Sequence, residues 1–297
     1  MTESTLRGFS PRHVLCPVDW SDHAILALKY AAAGAREFGA RLTVLHGETF
    51  ELPRYFVRSE ADRLAGELQR ARAGAHAALA DHVRQILGDV AESLAPQCRV
   101  VELHPVEAIL TEIEREGVDL VVLGTRGLGG LQRLLLGSVA ENVLRHASVP
   151  VFTVRQREHD FIDVSASGPL PEIDRILCPV NGSPVSGGAL RAAASVAERF
   201  GAALQVLRVR EDGEGDFDVG AWVRAQLGSA RPAELTAREG DPAEEILAEA
   251  RLRRADLLVV GGARRPALQA AFFGSTTEAL VRHAPAPVLV VPADTAS

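Results

Sequence analysis

The sequence predicts an α/β protein built from two repeats of one doubly wound domain, each a five-stranded parallel sheet with helices on both faces. Three observations predict it. "HVLCPVDWSDHAILALKYAAAGAREFGARLTVLHGE" from His13 aligns without a gap to "RILCPVNGSPVSGGALRAAASVAERFGAALQVLRVRE" from Arg175, 162 residues on, and "VDLVVLGTRGLGGLQRLLLGSVAENVLRHASVPVFTV" from Val118 aligns to Ala255 at an offset of 137. Short runs rich in Val and Leu alternate with segments of helical period, a pattern that asks for parallel strands joined by crossover helices. At 297 residues the chain is long enough to bury two cores.

In the first half, apolar runs near 13–18, 41–46, 98–103, 118–123 and 149–154 read as buried strands. Ser21 caps the helix after the first run, Ile25, Leu28, Ala32 and Ala35 recur along it at helical spacing, and Gly39 ends it. Residues 58–87 read as a second, longer helix, Pro105 to Glu116 as a third, and a fourth opens at Ser138. The first half is 25 residues longer than the second in its middle, so an insertion is expected within about 49–88. It is either a lid or arm beside a site, or a solvated helix with its arginines and glutamates outward. Residues 158–173, with Ser, Gly and Pro and no periodicity, form the expected linker between domains at 1–157 and 174–297.

Hydrophobic residues at 47% and charged residues at 24% exclude a disordered or fibrous chain. A net charge of −7, with the 32 basic residues spread along the chain, argues against nucleic acid as a partner. No apolar run reaches membrane-spanning length and the first residues lack a signal-peptide core, so a cytoplasmic protein without a membrane partner is expected. Cys16, Cys98 and Cys178 are too few and too scattered for a disulfide framework or a zinc cluster, and Cys16 and Cys178 read as buried thiols.

The stretch "GTRGLGGLQRLLLGS", Gly124 to Ser138, holds five glycines in fifteen residues and follows directly on a strand. Ligands of open α/β sheets sit beyond the carboxyl ends of the strands, where strand order reverses. Gly124 and Gly127, followed after nine residues by Gly137 and Ser138, would turn backbone N–H groups and a helix N-terminus toward an anion. Missing side chains leave room for phosphate oxygens. Lys29 is the one lysine of the chain, so the lysine of a Walker-type loop is missing.

At these residues the chain resembles the universal stress protein family. The likeness rests on the glycine stretch, on "LCPVDWSD" at the first strand, "VLHGE" at the second and "HASVPVFTV" at the last, and it covers nearly the whole chain twice. It implies ATP, with or without Mg²⁺, bound in the first half. Asp19, beside Pro17, would lie near ribose and base, and the backbone at Gly47 would face the adenine. Leu123, Gly124, Arg126, Gly127, Gly137, Ser138 and Val139 would surround ribose and phosphates. Ala140 stands where many ATP-binding members carry a hydroxyl. The likeness also implies that the halves join along their last strands as a pseudo-dimer about a pseudo-two-fold axis, and it leaves a homodimer of whole chains open.

The second half departs from that pattern: Asn181 replaces Asp19, Arg264 replaces Gly127 and Pro266 replaces Gly129. One competent and one degenerate site are therefore expected. Each residue also has a plainer reading. Ser138 with Glu141, and Ser275 with Glu278, are capping boxes. Asp19 precedes a helix start, where negative charge is favourable, Arg126 is an ordinary loop residue, and His146 and His283 complement helix dipoles. His46 ends a strand near the site without a nucleophile or Asp at triad spacing. The function expected is a stress-response regulator whose nucleotide occupancy alters its shape or its contacts with a protein partner. A slow ATPase or phosphotransferase, and a scaffold that has lost nucleotide binding, are the alternatives.

Overall fold

A computed structural model describes residues 9–48, 58–125, 136–155, 173–211, 217–228, 233–262 and 274–293. The first half runs β1 (His13–Pro17), α1 (Asp22–Phe38), β2 (Arg41–Gly47), α2 (Arg58–Leu87), α3 (Asp89–Leu94), β3 (Gln97–Val101), α4 (Pro105–Glu116), β4 (Leu120–Gly124), α5 (Ser138–His146) and β5 (Val151–Val154). The second runs β6 (Arg175–Pro179), α6 (Pro184–Phe200), β7 (Ala203–Arg210), α7 (Val219–Leu227), β8 (Glu234–Glu239), α8 (Pro242–Leu252), β9 (Leu257–Gly262), α9 (Ser275–His283) and β10 (Val288–Pro292).

Local chemistry explains most of these bounds. The Ser21 hydroxyl accepts from the Ala24 N–H at 3.2 Å, and Gly39, at φ 63°, ends α1 in the left-handed region. Ser183 and Gly201 repeat the arrangement around α6. Pro105 and Pro242 open α4 and α8, where a missing N–H costs no hydrogen bond. Helix α3 is an addition to the expected elements. Gly88, at φ 52°, breaks the long helix, and the new turn after it buries Ala91.

The strands form a single sheet in the order β3-β2-β1-β4-β5-β10-β9-β6-β7-β8. Within each half every pairing is parallel, and the halves meet through antiparallel β5 and β10, with Val151, Phe152 and Thr153 opposite Val290, Leu289 and Val288. Two apolar five-stranded edges thus cover one another. Helices α1, α2, α3, α6 and α7 bury one face of this sheet, and α4, α5, α8 and α9 bury the other. Both cores run through the two halves without a break.

Side chains reinforce the junction. The Thr153 hydroxyl donates to the Val288 carbonyl at 3.1 Å, Phe38 and Phe200 meet edge to face at 6.2 Å, and Arg199 pairs with Glu37 at 2.7 Å. Beneath α1 and α6 lies an apolar cavity of about 60 Å³, whose lining includes Tyr30, Gly34, Phe152 and Val196.

The repeat extends to one buried ion pair per half. Glu112 of α4 accepts from Arg99 of β3 at 2.8 Å, and Glu249 of α8 accepts from Arg238 of β8 at 2.7 Å. Burial pushes the Glu112 carboxyl up against the opposing charge of Arg99. Burial acts the same way on Glu249, but hydrogen bonds from Arg238, Gln205 and Arg253 outweigh it and hold that carboxyl below its ordinary range.

Candidate functional site

Strand order reverses between β1 and β4: the chain moves from β1 outward to β2 and β3, then returns to β4 on the other side of β1. Pro17 and Gly124 end these two strands, so the loops after them share the crevice where open α/β sheets bind ligands. The N-termini of α1 and α5 follow those loops. In the second half Pro179 and Gly262 take the corresponding places.

Asp19, half-buried, builds the turn into α1. Its Oδ1 accepts from the Ser21 N–H at 3.2 Å and from the Ser21 hydroxyl at 2.6 Å. Asn181 makes the same two bonds to Ser183, at 3.2 and 2.7 Å. The turn itself therefore needs a side-chain oxygen and no charge.

Trp20, next in the chain, is a residue that sequence reasoning passed over. It sits at φ 65°, a conformation unfavourable for a bulky side chain, and keeps 37% of its surface exposed. Its ring packs against His46 at the end of β2, at 5.4 Å between centroids, and against His82 of α2, at 4.6 Å. The signal was present in the repeat, since Gly182 occupies the aligned position at φ 79°. There the ring comes from elsewhere: a Cβ on Gly182 would stand 2.8 Å from the Phe217 ring. Both halves place an aromatic ring at this corner, by different routes.

Helix α2 answers the question of the insertion in part. Leu79, Val83 and Leu87 bury one stripe against the sheet while His82 reaches Trp20, so its carboxyl-terminal half is a packed wall of the crevice. Burial lowers the affinity of the His82 ring for a proton. His46 donates from Nδ1 to the Val18 carbonyl at 2.8 Å, a bond that orients the ring without activating a nucleophile.

The glycines have separate reasons. A Cβ on Gly124 would stand 2.8 Å from the His23 carbonyl oxygen, and one on Gly261 would stand 2.7 Å from Val185 Cγ1. Strand and helix approach so closely there that glycine is required whether or not a ligand binds. Gly47 is similarly confined, with Leu103 O and Pro105 Cα each 3.1 Å from a Cβ position. Leu123 is 3% exposed in the core on the α5 face, which leaves only its backbone for the crevice. Gly137 adopts an ordinary extended conformation, φ −66° and ψ 144°, as the N-cap of α5. Its own N–H is engaged by the Thr125 carbonyl at 2.8 Å. Arg126, Gly127 and Gly129, like Arg264 and Pro266 in the second half, lie outside the described residues.

Neither capping box forms. Ser138 and Ser275 are the first helical residues, preceded by N-cap glycines that have no side chain to offer, while Glu141 pairs with Arg145 and Glu278 with Arg282. The Ser138 side chain is exposed beside the N-terminus of a nine-residue helix, and Val139 is half-buried behind it. His146 and His283 close the last turns of α5 and α9, and His146 donates to the Asn142 carbonyl at 2.8 Å. Among the described residues no group of three or more His, Cys, Asp and Glu side chains is placed to hold a metal ion. Cys16 and Cys178 are fully buried, with thiols pushed far up by burial.

Comparison with known proteins adds relatives to this geometry. The family model described as the universal stress protein family matches residues 11–155 and 172–292. A universal stress protein of Thermus aquaticus is 37% identical over 146 residues, 48% of this chain and 97% of that protein. One of Mycolicibacterium smegmatis is 32% identical over 215 residues, 62% of this chain and 68% of that protein. Among solved structures, a universal stress protein from Archaeoglobus fulgidus superposes with a TM-score of 0.67 over 96% of this chain and 99% of its own, at 22% identity, a likeness of fold.

Proposed function

The chain belongs to the universal stress protein family as a tandem of two such domains, and from that premise we propose that its first half binds ATP and that occupancy regulates the shape or partner contacts of the whole. The observation that carries this reading is the uncapped start of α5 at the switch point. That start has no capping side chain of its own, and Ser138, its first residue, is exposed. A helix end of this kind favours the negative charge of phosphate.

The base and ribose would lie toward β1 and β2, near Pro17, Asp19 and Gly47, and the phosphates toward α5, with Arg126 and Gly127 completing the loop. Asp19 is the carboxylate nearest to hand for the ribose hydroxyls, and Mg²⁺, when present, would enter with the phosphates. The second half differs in ways that disfavour the same ligand. Asn181 brings no charge in place of Asp19, and Arg264 and Pro266 replace Gly127 and Gly129.

Isothermal titration is expected to show one ATP per chain. Asp19→Asn should leave unfolding stability within about 0.5 kcal/mol of the parent, because Asn181 makes the same turn. Its ATP affinity should fall by about tenfold through loss of a charge-assisted bond. Absence of binding at millimolar ATP would overturn the reading.

A further inference from the structure

An open cleft of about 520 Å³ lies at the carboxyl ends of β7 and β8, the outer strands of the second half, and its size is that of a small-molecule site. Arg208 and Arg210 of β7 stand opposite Ala237 and Glu239 of β8, and Phe217 and Val219 at the start of α7 line the cleft with them. Val209, between the two arginines, is buried in the core that α8 covers. Alternation along the strand therefore turns Arg208 and Arg210 to the opposite face, the one α6 and α7 cover. This place differs from the crevice at the β6–β9 switch point. Among the described residues, Asn181, Gly262 and Ser275 of that crevice do not line the cleft, and Phe217, which packs against Gly182, is the wall between them.

The arginines are peculiar to the second half. Arg208 and Arg210 align with His46 and Glu48, so a ring that rests on Trp20 and an acidic residue are replaced by two guanidinium groups at the same strand end. The Arg208 guanidinium lies over the Phe217 ring, 5.7 Å from its centroid. Phe217 is itself held, 6.0 Å from the Trp222 ring and next to Asp218, the N-cap of α7, which accepts from the Ala221 N–H at 2.8 Å. Arg210 pairs with Glu239, whereas the Arg238 guanidinium goes to buried Glu249 on the α8 face. Each guanidinium has five N–H donors, and one ring contact or one carboxylate does not exhaust them.

We propose that this cleft binds a small aromatic carboxylate, with its ring system on Phe217, Val219 and Ala237 and its carboxylate between Arg208 and Arg210. A planar guanidinium matches a carboxylate through two parallel hydrogen bonds. The apolar side chains give the body of the ligand a surface on which to leave water. Glu239, beside Arg210, repels a second negative charge, which favours a monoanion over a phosphate ester. The site stands apart from the nucleotide reading, in the other half and on other strands.

The probe is 1-naphthoate, followed by saturation-transfer NMR of its ring protons on the full chain. Titration should saturate with a Kd of about 1 mM or tighter, the affinity that an ordinary ligand of this size reaches. The neutral isostere 1-naphthamide should bind about tenfold more weakly, through loss of the charge-assisted bonds. Arg208→Gln and Arg210→Gln should each raise the naphthoate Kd about tenfold. Arg210 is exposed, so its variant keeps the test open if Arg208→Gln fails to fold. Saturating ATP should leave the naphthoate Kd unchanged. No saturation at about 10 mM naphthoate, equal affinity for the amide, or parental affinity in the folded arginine variants would overturn the proposal. Displacement by ATP would put the probe in a nucleotide crevice and overturn it as well. None of these results alters the nucleotide reading of the first half.

Discussion

Gly124 illustrates how one residue answers to two demands. It belongs to the glycine spacing that suggests a phosphate, yet its missing Cβ is also what lets α1 lie against the end of β4, 2.8 Å from where that atom would be. Because the obstructing atoms are His23 backbone, they cannot step aside as a side chain would. Gly124→Ala should therefore destabilise the ligand-free protein by about 2 kcal/mol, read as a lower urea midpoint. Unchanged stability would return Gly124 to a role in ligand approach alone. Gly261, against Val185 in the second half, shows that the packing demand recurs without the rest of the glycine motif.

His13 is the other residue whose surroundings make a testable statement. Its Nδ1 lies 2.8 Å from Arg41 Nη2 and 3.2 Å from the Glu116 carbonyl oxygen, and its Nε2 lies 2.8 Å from Thr43 Oγ1. Burial lowers the ring's proton affinity, and the Arg41 charge adds to that, against the Glu116 carbonyl and the charges of Asp119 and Glu116. The unfolded chain takes up this proton at about pH 6.5, the folded chain only at lower pH. Stability from the neutral ring is thus complete above about pH 6.5 and declines as pH falls toward the lower folded value. His82 and His283 are shifted the same way. Urea unfolding followed from pH 7.5 to 5.5 should show that decline, with a shallower slope in His13→Gln; an identical slope would remove His13 from the account.

Among the elements, α1 and α6 show what the repeat conserves and what it leaves unfinished. Both have a serine N-cap and a left-handed glycine C-cap, and both pack on the same face of the sheet. At aligned positions α1 carries Gly34 where α6 carries Val196, and both line the apolar cavity at the junction. A Cβ on Gly34 would meet nothing within 4 Å. Gly34→Ala should raise stability by about 1 kcal/mol, from helix propensity and from a methyl group entering the cavity. A lower urea midpoint would mean that the junction is tighter than this space suggests.

The whole molecule is one sheet rather than two tethered domains. Each core spans both halves, and β5 and β10 are internal strands of the sheet. Unfolding should therefore be a single cooperative event. Trp20 reports on the first half and Trp222 on the second, so fluorescence of Trp222→Phe and of Trp20→Phe should each coincide with far-ultraviolet circular dichroism of the same variant. Separate transitions would show that the halves hold themselves together independently.

The repeat, the strand-helix alternation, the caps at Ser21, Gly39 and Pro105, and the glycine stretch were all legible in the order of residues, because period, capping and turn preference act over a few neighbours along the chain. The alignment of Trp20 with Gly182 is likewise a local signal, of a left-handed backbone at that position. Other features depend on atoms distant in sequence. The close approach of His23 to Gly124, the contact of His82 with Trp20 and the antiparallel meeting of β5 with β10 are of this kind. Capping boxes at Ser138 and Ser275 failed for the same reason. Spacing allows such a box, but the strand end sets where the helix starts, and each serine falls one residue inside it. Local chemistry written into the sequence thus settled which elements form, while the folded sheet settled which of their groups face one another and which are left free for a ligand.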